Sequence, residues 1–160
     1  MFNLAIDSKF RGCDLVGLRV HDVVRGSRDA ARAIVIQRKT QRPMQFEINQ
    51  QTRDAVANWI AAAHLRPEQY LFPSRVSELS HVSTRQYSRI VASWVASIGL
   101  DPAAYGTHSP RRTKATRIYR RTKNLRAVQL LRGHTKLEST VRYFGIEVDD
   151  ALEIAEQTEV

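Results

Sequence analysis

The chain has 160 residues, 42% of them hydrophobic, and carries 25 lysines and arginines against 16 aspartates and glutamates, a net charge of +9. That length suits one compact domain that buries roughly 70% of the surface its unfolded form exposes, which argues against both disorder and a two-domain arrangement. A single cysteine, Cys13, excludes an internal disulfide framework, and with no apolar run of membrane-spanning length and no basic-then-apolar leader the expectation is a soluble cytoplasmic protein with no membrane partner.

Phe2, Ile6 and Phe10 recur at helical spacing with nothing ahead of them to cap a helix, so the sequence reads as opening inside one and an upstream segment is expected. Residues 11–18 predict a short helix that turns Leu15 and Leu18 to the core and closes near Gly17, with Cys13 buried on it. Val20, Val23 and Val24 predict the start of a strand. Residues 33–36 and 43–48 read as neighbouring antiparallel strands, the first a β-branched run and the second alternating apolar with polar. Arg38 and Lys39 lie in the polar connection between them.

From Gln51 the period changes: Val56, Ile60 and Ala63 predict a helix to about His64, capped by Asn49 or Thr52. Leu71-Phe72-Pro73 reads as a buried connector. Ser83 or Thr84 caps a helix through Tyr87, Val91, Trp94, Val95 and Ile98 that glycine ends at Gly99. Trp59 and Trp94 are expected in the core. Thr107-His108-Ser109-Pro110 has the grammar of a helix start, with serine as cap and proline in the first turn, and the helix runs towards Tyr119. Helical stretches from Leu125 to Leu131, broken at Gly133, and from Leu137 towards Tyr143 precede an acidic amphipathic tail. The pattern predicts an α+β fold, mainly helical, with a small antiparallel sheet at one edge. Residues 1–147 form the domain, and 148–160 a C-terminal segment expected to dock in trans or in cis.

Charge along this order is uneven. Residues 106–143 hold 11 of the bases and one acid, whereas 144–160 hold six acids and no base. Twenty of the 25 bases are arginines, whose planar fork matches a phosphate. A stripe of that density is the footprint of a phosphate backbone. Within it, His108 and Arg111 stand three residues apart at the start of a helix, where both reach one phosphate. Gly133-His134 adds a second imidazole, and Tyr143 follows nine residues later with a phenol.

Four further runs extend this set: Asp7 to Val23, in which Arg11 opens a helix and Leu18-Arg19-Val20-His21-Asp22-Val23 follows; Gln37-Arg38-Lys39-Thr40 between two strands; His108-Ser109-Pro110-Arg111-Arg112-Thr113-Lys114-Ala115-Thr116; and Leu130-Leu131-Arg132-Gly133-His134-Thr135. In this order and spacing, with Tyr143 after them, they resemble the tyrosine recombinase (phage integrase) family over nearly the whole chain. Pro110 stands where the family usually has leucine, and Arg112 where histidine or arginine occurs. The separate N-terminal domain with which most relatives close a clamp on DNA is absent from this sequence.

The resemblance implies the catalytic-domain fold of that family and a site-specific DNA recombinase or integrase. Arg11 and Arg111 would hold the non-bridging oxygens of a scissile phosphate, with His134 as a further donor. Tyr143 would be the nucleophile, His108 its base, and Lys39 the acid for the leaving 5′ oxygen. Arg38, Arg112, Lys114, Arg117 and Arg142 are expected to contact DNA. The implied intermediate is a 3′-phosphotyrosyl ester made without metal, cofactor or ATP. The implied partners are double-stranded DNA at the nucleoid and, on paired sites, a homotetramer of a chain that is monomeric without DNA. Two alternatives remain: a non-catalytic DNA-binding regulator, whose helix-turn-helix from Leu125 through Arg142 suits the basic stripe but has no use for Arg11 and Lys39, and a type IB topoisomerase-like enzyme, which shares the same reacting groups.

Overall fold

The computed structural model describes residues 1–24, 31–75 and 80–132. In chain order these form α1 (Phe2–Ser8), α2 (Gly12–Val16), α3 (Val20–Val23), strands β1 (Arg32–Ile36) and β2 (Pro43–Glu47), α4 (Gln50–Ala62), α5 (Thr84–Ser97), a 3₁₀ turn (Pro102–Ala104), α6 (His108–Thr122) and α7 (Leu125–Arg132). The mainly helical fold with one small antiparallel sheet is the architecture expected from the sequence. No described helix is long and apolar enough to cross a membrane.

The two strands pair antiparallel with Ala33 opposite Phe46 and Val35 opposite Met44. These four residues turn to the interior while Ile34 and Ile36 face out, the alternation that the strand period of two dictates. Phe46 meets Phe10 edge-on at 4.8 Å, so the sheet rests on the junction of α1 and α2. Leu4, Ala5, Leu15, Val16 and Leu18 continue this core to Tyr87, Val91 and Val95 on α5. A smaller cluster, Ala115, Tyr119 and Val128, joins α6 to α7.

Several local expectations are corrected. Val20 to Val23 form one helical turn rather than a strand: the Asp22 carboxylate accepts from the Arg19 amide at 2.8 Å, and the Val24 amide donates to the Val20 carbonyl. Helix α1 ends at Ser8, before Phe10, because Lys9 takes the left-handed conformation with φ 56°. Trp59 is 43% exposed and donates its indole N–H to the Leu71 carbonyl at 2.7 Å. Trp94 does pack on the core as expected, half-buried and edge-on to Phe2 and Tyr87, whereas Cys13 is partly exposed. Thr107, not Ser109, precedes α6, and the helix runs past Tyr119 to Thr122. The other caps match: Asn49 accepts from the Thr52 amide, Ser83 from the Gln86 amide, and Gly99 closes α5 with φ 75°.

Candidate active site

Arg11 occupies the extended residue ahead of α2, where its carbonyl accepts from the Asp14 and Leu15 amides. Its guanidinium Nη1 donates to Gln37 Oε1 at 3.3 Å. Gln37 closes β1 and is buried. Its Oε1 also accepts from Thr40 Oγ1 at 2.8 Å, its Nε2 donates to Met44 Sδ, and its backbone holds the tight turn through Arg42 and Gln41. A second tie runs beside it: the buried Asp14 carboxylate accepts from the Arg38 amide at 2.9 Å. Arg11 and Asp14 therefore fix the turn that carries Lys39, which stays exposed two residues past Gln37. The Arg38 guanidinium lies over Gly17, its Nη1 3.6 Å from where a side chain would begin.

The head of α6 arrives at the same place. A β-carbon on Gly12 would stand 3.2 Å from the Tyr87 ring, so the ring packs closely on the start of α2, and 3.9 Å from the side chain of Thr107, the residue preceding His108. His108 is exposed at the first position of α6, whereas Arg111, one turn on, is buried at 4% exposure. Arg11 is thus tied through Gln37 to the hairpin turn that carries Lys39, and Thr107, just ahead of His108, lies near the start of α2.

Beneath them sits a buried carboxylate that sequence reasoning missed. Asp7 Oδ1 accepts from Lys114 Nζ at 2.9 Å and Asn49 Nδ2 at 3.0 Å; Oδ2 accepts from Thr52 Oγ1 at 2.7 Å and the Asn49 amide at 3.2 Å. Burial pushes this carboxyl up, but the hydrogen bonds from Lys114, Thr52 and Asn49 outweigh it and hold its pKa below the ordinary value. Lys9, 1% exposed, donates to the Asp7 carbonyl at 2.9 Å. Burial and then the Lys114 charge lower its pKa from 10.5 to about 8, against the opposing pull of Asp7 and Glu47. The available signal was an acid and a lysine flanking Ser8 beside an apolar helix face, where neither is ordinarily buried.

Of the residues expected to contact DNA, Arg38, Arg112 and Arg117 are exposed, and Lys114 is the half-buried partner of Asp7. His134, Arg142 and Tyr143 lie outside the described residues, as do the helix expected from Leu137 and the acidic tail at 148–160.

A sequence model of the phage integrase family matches residues 1–148. The chain belongs to the phage integrase family. Among its relatives, the probable integrase/recombinase YoeC of Bacillus subtilis strain 168 is 28% identical over 149 residues, which cover 93% of this chain and 77% of that protein. The tyrosine recombinase XerD of Bradyrhizobium diazoefficiens is 29% identical over 140 residues, covering 79% of this chain and 44% of the relative. Two crystal structures share the family fold at 18% identity. XerA recombinase superposes with a TM-score of 0.76 over 97% of this chain and 55% of its own. XerH recombinase, bound to difH substrate in a pre-cleavage complex, gives 0.75 over 96% and 44%. Apart from YoeC, these family members are about twice as long as the span this chain matches.

Proposed function

We propose that the chain is the catalytic domain of a site-specific DNA recombinase that cleaves and rejoins double-stranded DNA through a 3′-phosphotyrosyl intermediate. The observation that supports this reading is the tie from Arg11 through Gln37 to the turn that carries Lys39, with the head of α6 near the start of α2. Relatives named integrase or recombinase support it.

In-line displacement at a phosphodiester gathers negative charge on the non-bridging oxygens, and preorganised cations stabilise it. Arg11 and Arg111 take that role, each able to donate two hydrogen bonds, with His134 as a further donor. The Tyr143 phenol gives its proton to His108 and attacks phosphorus; the P–O5′ bond breaks, and the 5′ oxygen takes a proton from Lys39. A 5′-hydroxyl of a partner strand then attacks the phosphotyrosine and expels the phenol, so bond energy is conserved. Arg38, Arg112, Arg117 and Arg142 are assigned to phosphate contacts, with DNA at the nucleoid as partner and a tetramer as the assembly that exchanges strands. A non-catalytic regulator gives no reason for tying Arg11 to the turn that carries Lys39.

Covalent capture tests the reading. A library of nicked duplexes from the source genome is incubated with the protein in EDTA, quenched in SDS and probed for protein-linked DNA. The expected result is an adduct lost in Tyr143→Phe and retained in Tyr119→Phe. An adduct that survives Tyr143→Phe, or salt-sensitive retention of DNA with no adduct, overturns it.

A further inference from the structure

The chain segments that carry two candidate arginines, 100 residues apart in sequence, are joined by one ion pair, Asp7 with Lys114. Asp7, in the last turn of α1, precedes Arg11 by four residues, and Lys114 lies one turn after Arg111 on the same side of α6. We propose that Asp7 is a positioning residue for strand cleavage, holding the Arg111-bearing helix in register with the Arg11 segment through Lys114. This rests on the cleavage reading above.

The carboxylate is 2% exposed, and all four of its contacts come from elements other than its own: Lys114 on α6, Thr52 on α4, and the side chain and amide of Asn49 ahead of α4. A buried ion pair contributes little net stability, because desolvating the two charges offsets their attraction. What it does contribute is geometry. Sliding or rotating α6 would strip Lys114 from Asp7 and leave a buried charge uncompensated, so the pair admits one setting of α6 and hence of the Arg111 guanidinium.

Lys9 makes that setting responsive to pH. The charged groups facing it are Asp7 on α1, Lys114 on α6 and Glu47 on β2. With Lys9 protonated, two ammonium groups lie at Asp7, Lys114 bonded to the carboxylate and Lys9 to the main-chain carbonyl. Loss of the Lys9 proton near pH 8 removes the charge that repels Lys114. The geometry at Arg111 therefore carries an inflection that a purely structural contact would not give.

The test uses the full chain as wild type, Asp7→Asn, Lys114→Met, the double variant and Lys9→Met. Without DNA, the Arg111 Nε–Hε NMR resonance, assigned with Arg111→Lys, is followed from about pH 6.5 to about 9.5. With the captured nicked duplex, the rate of adduct formation at saturating DNA is measured beside the half-saturating concentration. Asp7→Asn is expected to shift the Arg111 resonance and flatten its inflection, as Lys9→Met also flattens it. It should slow adduct formation about tenfold at unchanged half-saturation, with the double variant no slower than Asp7→Asn. If Asp7→Asn does not fold, Lys114→Met carries the same comparison, since it leaves Asp7 its Asn49 and Thr52 partners. An unmoved Arg111 resonance overturns the proposal. So does a rate that falls only in step with melting temperature and DNA affinity. A wild-type chain that forms no adduct overturns the cleavage reading instead, and the resonance then decides the positional link alone.

Discussion

Lys9 combines two features that rarely coincide in one residue: a left-handed backbone at φ 56° and a buried ammonium. The first costs about 1 kcal/mol for a residue with a β-carbon. The second is a stability statement with a definite sign. The folded-state pKa of about 8 lies below the ordinary 10.5, so between these values the unfolded chain binds the extra proton. Stability therefore rises with pH across that window, and the penalty is fully present below it. The gap corresponds to about 3 kcal/mol at most. Thermal melts of the wild type should climb from pH 7 towards pH 10 relative to Lys9→Met, which should be the more stable of the two at pH 7; parallel curves would remove Lys9 as the titrating group. Asp7 gives a slope of the same sign in its own window, but as a gain rather than a penalty. Its depressed pKa adds stability above the ordinary 3.8 that is lost as pH falls through the folded value.

At the scale of elements, the hairpin turn is held from outside. The Arg38 amide donates to Asp14, and Gln37 accepts from Arg11 and Thr40. Asp14→Ala removes the buried charged acceptor of the Arg38 amide, which should cost roughly 1–3 kcal/mol. Hydrogen exchange should speed up at the Arg38 amide first and leave the pairing of Ala33 with Phe46 protected; uniform deprotection of both strands would mean that the turn has no separate tie.

The same scale explains what was readable in the sequence. The strands were legible because one face repeats every second residue, and α4 and α5 because Asn49 and Ser83 cap them. Val20 to Val23 misled because β-branched residues favour strands, while the deciding Asp22–Arg19 bond is a local capping preference that overrides them. At the site, Arg11, Lys39, His108 and Arg111 could be singled out because reacting groups recur in a fixed order. Asp7, Gln37 and Asp14 could not, because their work is done through contacts spanning 24 to 107 positions of chain, which no periodicity records.

For the whole molecule, the basic stripe divides once α6 is folded. The helix carries six bases and no acid, yet Arg111 and Lys114 turn inward while Arg112, Arg117, Arg120 and Arg121 face out. Arg120 and Arg121 stand in the last turn, where cations also favour the helix dipole. Arg117, mid-helix, has no such role, so its charge is the cleaner probe of a phosphate contact. Each phosphate neutralised releases counterions and adds about 0.9 to the slope of log affinity against log salt. Arg117→Gln should therefore reduce that slope by about 1 on any duplex sequence, with melting temperature little changed, because an exposed charge contributes under about 0.5 kcal/mol to folding. Asp7→Asn should leave the slope where it was, since its effect falls on geometry rather than on ion count. An unaltered slope in Arg117→Gln would move the DNA footprint off α6, to the Arg38 and Lys39 turn, and the same titration repeated on Arg38→Gln would then locate it.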